Sequence, residues 1–66
     1  MKLIINGKEQ HFKKEMTIQE ILESLKVEDK VMAAAVNTQI VKKEEWRSYR
    51  PKEGDKVEFL TFVGGG

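Results

Sequence analysis

The group in this 66-residue chain best placed to do chemistry is the carboxylate of Gly66, at the end of the run Gly64-Gly65-Gly66. A terminal carboxylate has an ordinary pKa of about 3.3 to 3.7, so it is ionised at neutral pH and is a poor acyl electrophile. Another protein must activate it. Residues without Cβ accept any backbone conformation and let a narrow active site close around the chain. Three extended residues reach about 10 Å, at about 3.3 to 3.6 Å each. The side chains offer little competition. With no cysteine, the chain has no disulfide, thiolate metal site or thiol chemistry. His11 is the only histidine, and one imidazole without nearby cysteines or clustered carboxylates makes a poor metal ligand or general base. It is expected to be an ordinary strand residue. The sequence contains no Ser/His/acid set, metal cluster or phosphate loop, and the glycines precede neither a helix nor a lysine. No catalytic residue, metal or bound cofactor is therefore expected.

Twelve basic and eleven acidic side chains leave a formal net charge of +1, which announces neither a nucleic acid nor an anionic membrane as partner. The pairs Lys13-Lys14 and Lys42-Lys43, and Arg47 with Arg50, read as solvated charges. The longest apolar run, Val31 to Val36, falls far short of the ~20 residues that span a bilayer. The opening Met1 to Asn6 is too short for a signal-peptide core. A cytoplasmic location is the expectation.

The elements that must position the tail are legible in order. Leu3-Ile4-Ile5, then Asn6-Gly7, then Lys8 to Lys13 predict two short strands joined by a type I′ turn, since Asn-Gly tolerates positive φ. Thr17-Ile18-Gln19-Glu20 is a capping box that starts a helix at Ile18 and carries it to about Lys26. Ile18, Ile21, Leu22 and Leu25 fall at i, i+3, i+4 and i+7, one apolar stripe to pack on a sheet. Val31 to Val36, the polar pair Asn37-Thr38 and Gln39-Ile40-Val41 predict a central strand, a turn and a shorter strand. The three alanines within that central strand suggest closely covered backbone. Lys43 to Trp46 reads as one helical turn that drops a structural indole against the core edge. Pro51 to Asp55 is turn chemistry, and the last strand is expected from Lys56 to Val63. This order describes an α+β domain over residues 1–63, a mixed sheet of four to five strands with one main helix on one face, followed by a glycine tail at 64–66.

Val36-Asn37-Thr38-Gln39-Ile40-Val41, Glu44-Glu45-Trp46, Glu53-Gly54-Asp55 and Phe62-Val63-Gly64-Gly65-Gly66, set in this order after an Asn-Gly hairpin and a Thr-capped helix, carry a family likeness. Over essentially the whole chain the sequence resembles the ThiS family of sulfur carriers, within the ThiS/MoaD group. The resemblance implies a ubiquitin-like β-grasp fold in which the first and last strands lie side by side. It also implies a route: an E1-like, ThiF-like adenylyltransferase transfers AMP from ATP to the Gly66 carboxylate. Sulfur originating from a donor such as a cysteine desulfurase then converts the adenylate to a thiocarboxylate. A ThiG-like thiazole synthase is the implied acceptor, for the thiazole of thiamine. ATP is used by the activating partner, and the chain is a co-substrate rather than an enzyme. The missing cysteines agree with a carrier that holds sulfide as a terminal thioacid and so avoids disulfide exchange.

Strand parity suggests the partner surface. Val57 and Phe59 should face the helix, with Glu58, Leu60 and Phe62 on the other side of the sheet and Thr61 and Val63 left intermediate. Leu60, Phe62 and Val63 are thus the candidate partner-binding residues beside the tail, with Gly64 and Gly65 threading it and Gly66 reacting. Alternatives of similar appearance are the small subunit of molybdopterin synthase, carriers feeding cysteine or homocysteine synthesis, a β-grasp interaction module, and a ubiquitin-like modifier joined to lysines.

Overall fold

The computed structural model describes residues 1–61. Phe62, Val63, Gly64, Gly65 and Gly66, and with them the expected strand end at Val63 and the boundary at 64, lie outside the described residues. Five strands, β1 (Lys2–Ile5), β2 (Lys8–His11), β3 (Val31–Val36), β4 (Gln39–Val41) and β5 (Lys56–Thr61), form one sheet in the order β2-β1-β5-β3-β4. The β1–β5 pair is parallel and every other pair antiparallel, so the first and last strands are neighbours, as the resemblance implied. Helix α1 (Ile18–Leu25) covers one face, and a 3₁₀ turn, Lys43–Glu45, follows β4.

The β1–β2 hairpin closes through Asn6 (φ 50°) and Gly7 (φ 81°), both in the left-handed region that a type I′ turn requires. At the start of α1 the Glu20 amide donates to Thr17 Oγ1 at 3.1 Å, and the Thr17 amide donates to Glu20 Oε1 at 2.8 Å. That is the expected capping box. Two more amides of the first turn are taken from outside the helix: Ile18 N–H donates to the Tyr49 carbonyl and Gln19 N–H to that of Trp46. The helix stops one residue before the expected end, because Lys26 turns left-handed (φ 60°) and caps it by donating to Glu23 O. Ile18, Ile21 and Leu22 are fully buried, while Leu25 packs at the margin of the core.

Beneath the helix lie Leu3, Ile5, Val31, Ala34, Val36, Val41, Val57 and Phe59. Trp46 closes the edge at 1% exposure, its indole N–H donating to the Val41 carbonyl at 2.9 Å. Strict alternation would place Val31 on the same face as Ala33 and Ala35. A bulge at Met32 shifts the parity, so that Val31, Ala34 and Val36 all point to the core. The alanines therefore divide. Ala34 is covered, but Ala33 and Ala35 are half-exposed on the face away from the helix, where their small side chains leave a depression instead of covered backbone.

Candidate functional site

The described part of the candidate site is the helix-free face of the sheet where β5 leads toward the tail. Leu60 is 61% exposed there and Glu58 is exposed, while Val57 and Phe59 are buried under α1, so the expected parity of β5 holds as far as the structure describes it. Thr61 is exposed and pairs with Val31 across from the bulge. Of the candidate partner residues, only Leu60 is within the described residues; Phe62 and Val63 are not, nor are Gly64, Gly65 and Gly66.

Cross-strand register builds the rest of this face. Leu60 stands opposite Ala33, Glu58 opposite Ala35, and Ala35 opposite Ile40. Ile40, 71% exposed, and Leu60 thus form two walls around an alanine floor. The open groove they bound, with Asn6 and Glu58 on its lining, has a volume of about 300 Å³. Ile40 was not identified from sequence as a site residue. The two-residue turn after Val36 places Ile40 opposite Ala35, but the face that Ala35 occupies depends on the bulge at Met32, which no local signal marks.

Two asparagine side chains hold β5 in place. Backbone pairing with β1 ends where the chain turns at Asn6, whose own N–H still reaches the Val57 carbonyl at 2.9 Å. One step further the Asn6 side chain takes over: Oδ1 accepts the Phe59 N–H at 2.8 Å and Nδ2 donates to the Phe59 carbonyl at 3.3 Å. At the opposite end Asn37 (φ 49°), first residue of the β3–β4 turn, accepts the Lys56 N–H on Oδ1 at 3.0 Å. Its Nδ2 donates to Asp55 Oδ1, also at 3.0 Å. Each turn asparagine tolerates positive φ and also anchors the strand that carries the tail.

The rest of the surface offers less chemistry. His11 lies exposed on the edge strand β2, with Nε2 2.7 Å from Glu9 Oε2. Among the described residues no group of three or more His, Asp or Glu side chains is placed to hold a metal, and no helix is long and apolar enough to cross a membrane. Glu20 is held below its ordinary value chiefly by the Thr17 backbone amide and also by the Thr17 hydroxyl, against an opposing effect of burial. It serves the helix cap and not this face.

The sheet order and the one α-helix among the described residues, packed on one face, define a ubiquitin-like β-grasp domain. Comparison with known proteins narrows the class. Residues 3–66 match the ThiS family. The chain is 37% identical over 65 residues to the sulfur carrier protein ThiS of Bacillus subtilis, covering 97% of this chain and 98% of that one. The crystal structure of a thiamine biosynthesis protein (ThiS) from Geobacter metallireducens superposes with a TM-score of 0.82 at 34% identity, each chain fully covered. A thiazole synthase of Paramagnetospirillum magneticum is 39% identical over 66 residues, all of this chain but only 20% of that protein's length. The chain belongs to the ThiS family of sulfur carriers.

Proposed function

We propose that the protein carries sulfur for the thiazole of thiamine as a thiocarboxylate on Gly66. The observation that carries this reading is the family match, which extends through residue 66 and so includes the terminal glycines. The first step is attack of the Gly66 carboxylate on the α-phosphorus of ATP at an E1-like, ThiF-like adenylyltransferase, giving an acyl-adenylate with loss of pyrophosphate. Sulfur from a donor such as a cysteine desulfurase, held there as a persulfide and released as sulfide with two electrons from a thiol reductant, then attacks the acyl carbonyl. AMP departs and the thiocarboxylate remains. The chain is a protein co-substrate throughout, ATP belongs to the activating enzyme, and both enzymes would be met in the cytoplasm.

A thiazole synthase is the acceptor this reading assigns. In support, the Paramagnetospirillum protein of that name contains a stretch resembling the whole of this chain within its much greater length. Gly64 and Gly65 supply the thin backbone an active-site channel requires. Leu60 and, beyond the described residues, Phe62 and Val63 supply the apolar contact beside it.

The test is mass spectrometry of the protein after incubation with the cognate adenylyltransferase, ATP and sulfide. Replacement of one oxygen by sulfur adds about 16 Da, mapped by fragmentation to Gly66. Deleting Gly66 or converting its carboxylate to an amide should abolish the gain, and His11→Ala should leave it unchanged. A sulfur adduct elsewhere in the chain would refute the assignment.

A further inference from the structure

The two asparagines of the chain occupy like positions. Asn6 opens the β1–β2 turn at φ 50° and Asn37 the β3–β4 turn at φ 49°, and the side-chain amide of each holds β5. They differ in the residue that follows. Gly7 is exposed, and a Cβ at its position would meet nothing within 4 Å, whereas Asn37 is followed by the β-branched Thr38. That difference bears on a covalent reaction. The backbone nitrogen after an asparagine can attack the side-chain carbonyl carbon, and a following side chain obstructs the approach, a stiff β-branched one most of all. Glycine obstructs nothing and leaves the backbone free to close the ring.

We propose that Asn6 is a deamidation site, held in check by its pairing with Phe59, and that its conversion releases the anchor of β5. The Gly7 nitrogen gives up its proton and bonds to Asn6 Cγ, the Cγ–Nδ2 bond breaks, and ammonia leaves as a succinimide ring closes. Water then opens the ring on one side to aspartate, or on the other to isoaspartate, in which the main chain runs through Cβ and Cγ. No oxidant, reductant or cofactor takes part. In the folded domain the side chain is held away from this reaction. Oδ1 accepts the Phe59 N–H at 2.8 Å and Nδ2 donates to the Phe59 carbonyl at 3.3 Å, so the amide must leave Phe59 before Cγ can turn to Gly7. Neither product restores both bonds. Aspartate puts an anionic oxygen where Nδ2 had donated to the Phe59 carbonyl. Isoaspartate also adds a main-chain atom to a two-residue turn whose register sets Ile5 opposite Lys8.

The experiment ages the full chain in warm neutral buffer, both folded and in concentrated urea. Each asparagine is read by peptide mass, and isoaspartate by labelled-methyl transfer from an isoaspartyl carboxyl methyltransferase. Asn6 should gain about 1 Da, with isoaspartate present, while Asn37 keeps its amide. The gain should be about tenfold or more slower in the folded chain than in concentrated urea. In urea too dilute to unfold the domain, its rate should climb in step with hydrogen exchange of the Phe59 amide. Thr38→Gly in concentrated urea should make Asn37 gain about 1 Da as well. Asn6→Asp, with the circular dichroism of the parent, should speed exchange at Phe59 about tenfold beyond any change at Leu22. Equal conversion of the two asparagines of the parent in concentrated urea, or none at Asn6, overturns the site. If the folded and unfolded chains convert at the same rate, or dilute urea speeds Phe59 exchange and leaves Asn6 intact, the pairing is not the restraint. Phe59 exchange unchanged in Asn6→Asp would overturn the released anchor.

Discussion

The side-chain amide of Asn6 stands where a strand would otherwise continue beside Phe59, accepting its N–H at 2.8 Å and donating to its carbonyl at 3.3 Å. Parallel pairing between β1 and β5 covers only Ile4 with Lys56 and Ile5 with Val57 before the chain turns away. Phe59 buries its ring under α1, yet its peptide groups face the gap left by that turn. Asn6→Gly keeps the positive φ and deletes the two bonds, so it should cost about 1 to 3 kcal/mol. Urea denaturation would measure the loss, and hydrogen exchange should show the Phe59 amide losing protection first. Unchanged protection at Phe59 would contradict the role assigned to Asn6.

Leu22 lies at the centre of the helix–sheet contact with no exposed surface. Leu22→Ala should lower stability by about 2 to 5 kcal/mol, a large share of what so small a domain possesses. A loss below about 1 kcal/mol in calorimetry would show that the site collapses around the missing methyl groups, contrary to the packing described.

The β3–β4 turn places Thr38 at φ 72°, where a β-branched residue is strained, whereas the β1–β2 turn has glycine at the matching position. Thr38→Gly should raise stability by about 0.5 to 1 kcal/mol, the relief of strain exceeding the added freedom of the unfolded chain. A fall in the urea midpoint would reveal a contact by the threonine that outweighs its backbone strain.

Glu20 supplies the pH dependence of the helix cap. Its folded pKa lies below the ordinary glutamate value of about 4.3, chiefly through the Thr17 amide. The unfolded chain therefore takes up the proton first as pH falls, and stability rises with pH in this range. The contribution is complete above the unfolded pKa and is lost as pH drops through the lower folded value. Thermal melts of Glu20→Gln between about pH 3 and pH 6 should show a shallower pH dependence than the parent, with the gap closing at the acidic end. Parallel curves would exclude Glu20 as the source.

The sequence by itself determined the elements whose causes are local. Asn6-Gly7 specified a tight hairpin because its residues tolerate positive φ, Thr17 and Glu20 specified where α1 starts because both bonds close within four residues, and the spacing from Ile18 to Leu22 specified the buried stripe. Alternation along β5 separated Val57 and Phe59 from Glu58 and Leu60 for the same reason. The family was legible as well, because its motifs are short and ordered along the chain. Tertiary structure alone decided which strands meet and on which face the residues of β3 fall. The bulge at Met32 reverses the parity of Val31 against Ala33 and Ala35, and only pairing with β5, distant in sequence, shows where the extra residue sits. That reversal exposes the alanine floor and turns Ile40 and Glu58 from two separate residues into parts of one groove. The anchoring of Phe59 by Asn6, 53 residues away, likewise arises only when the first and last strands lie together.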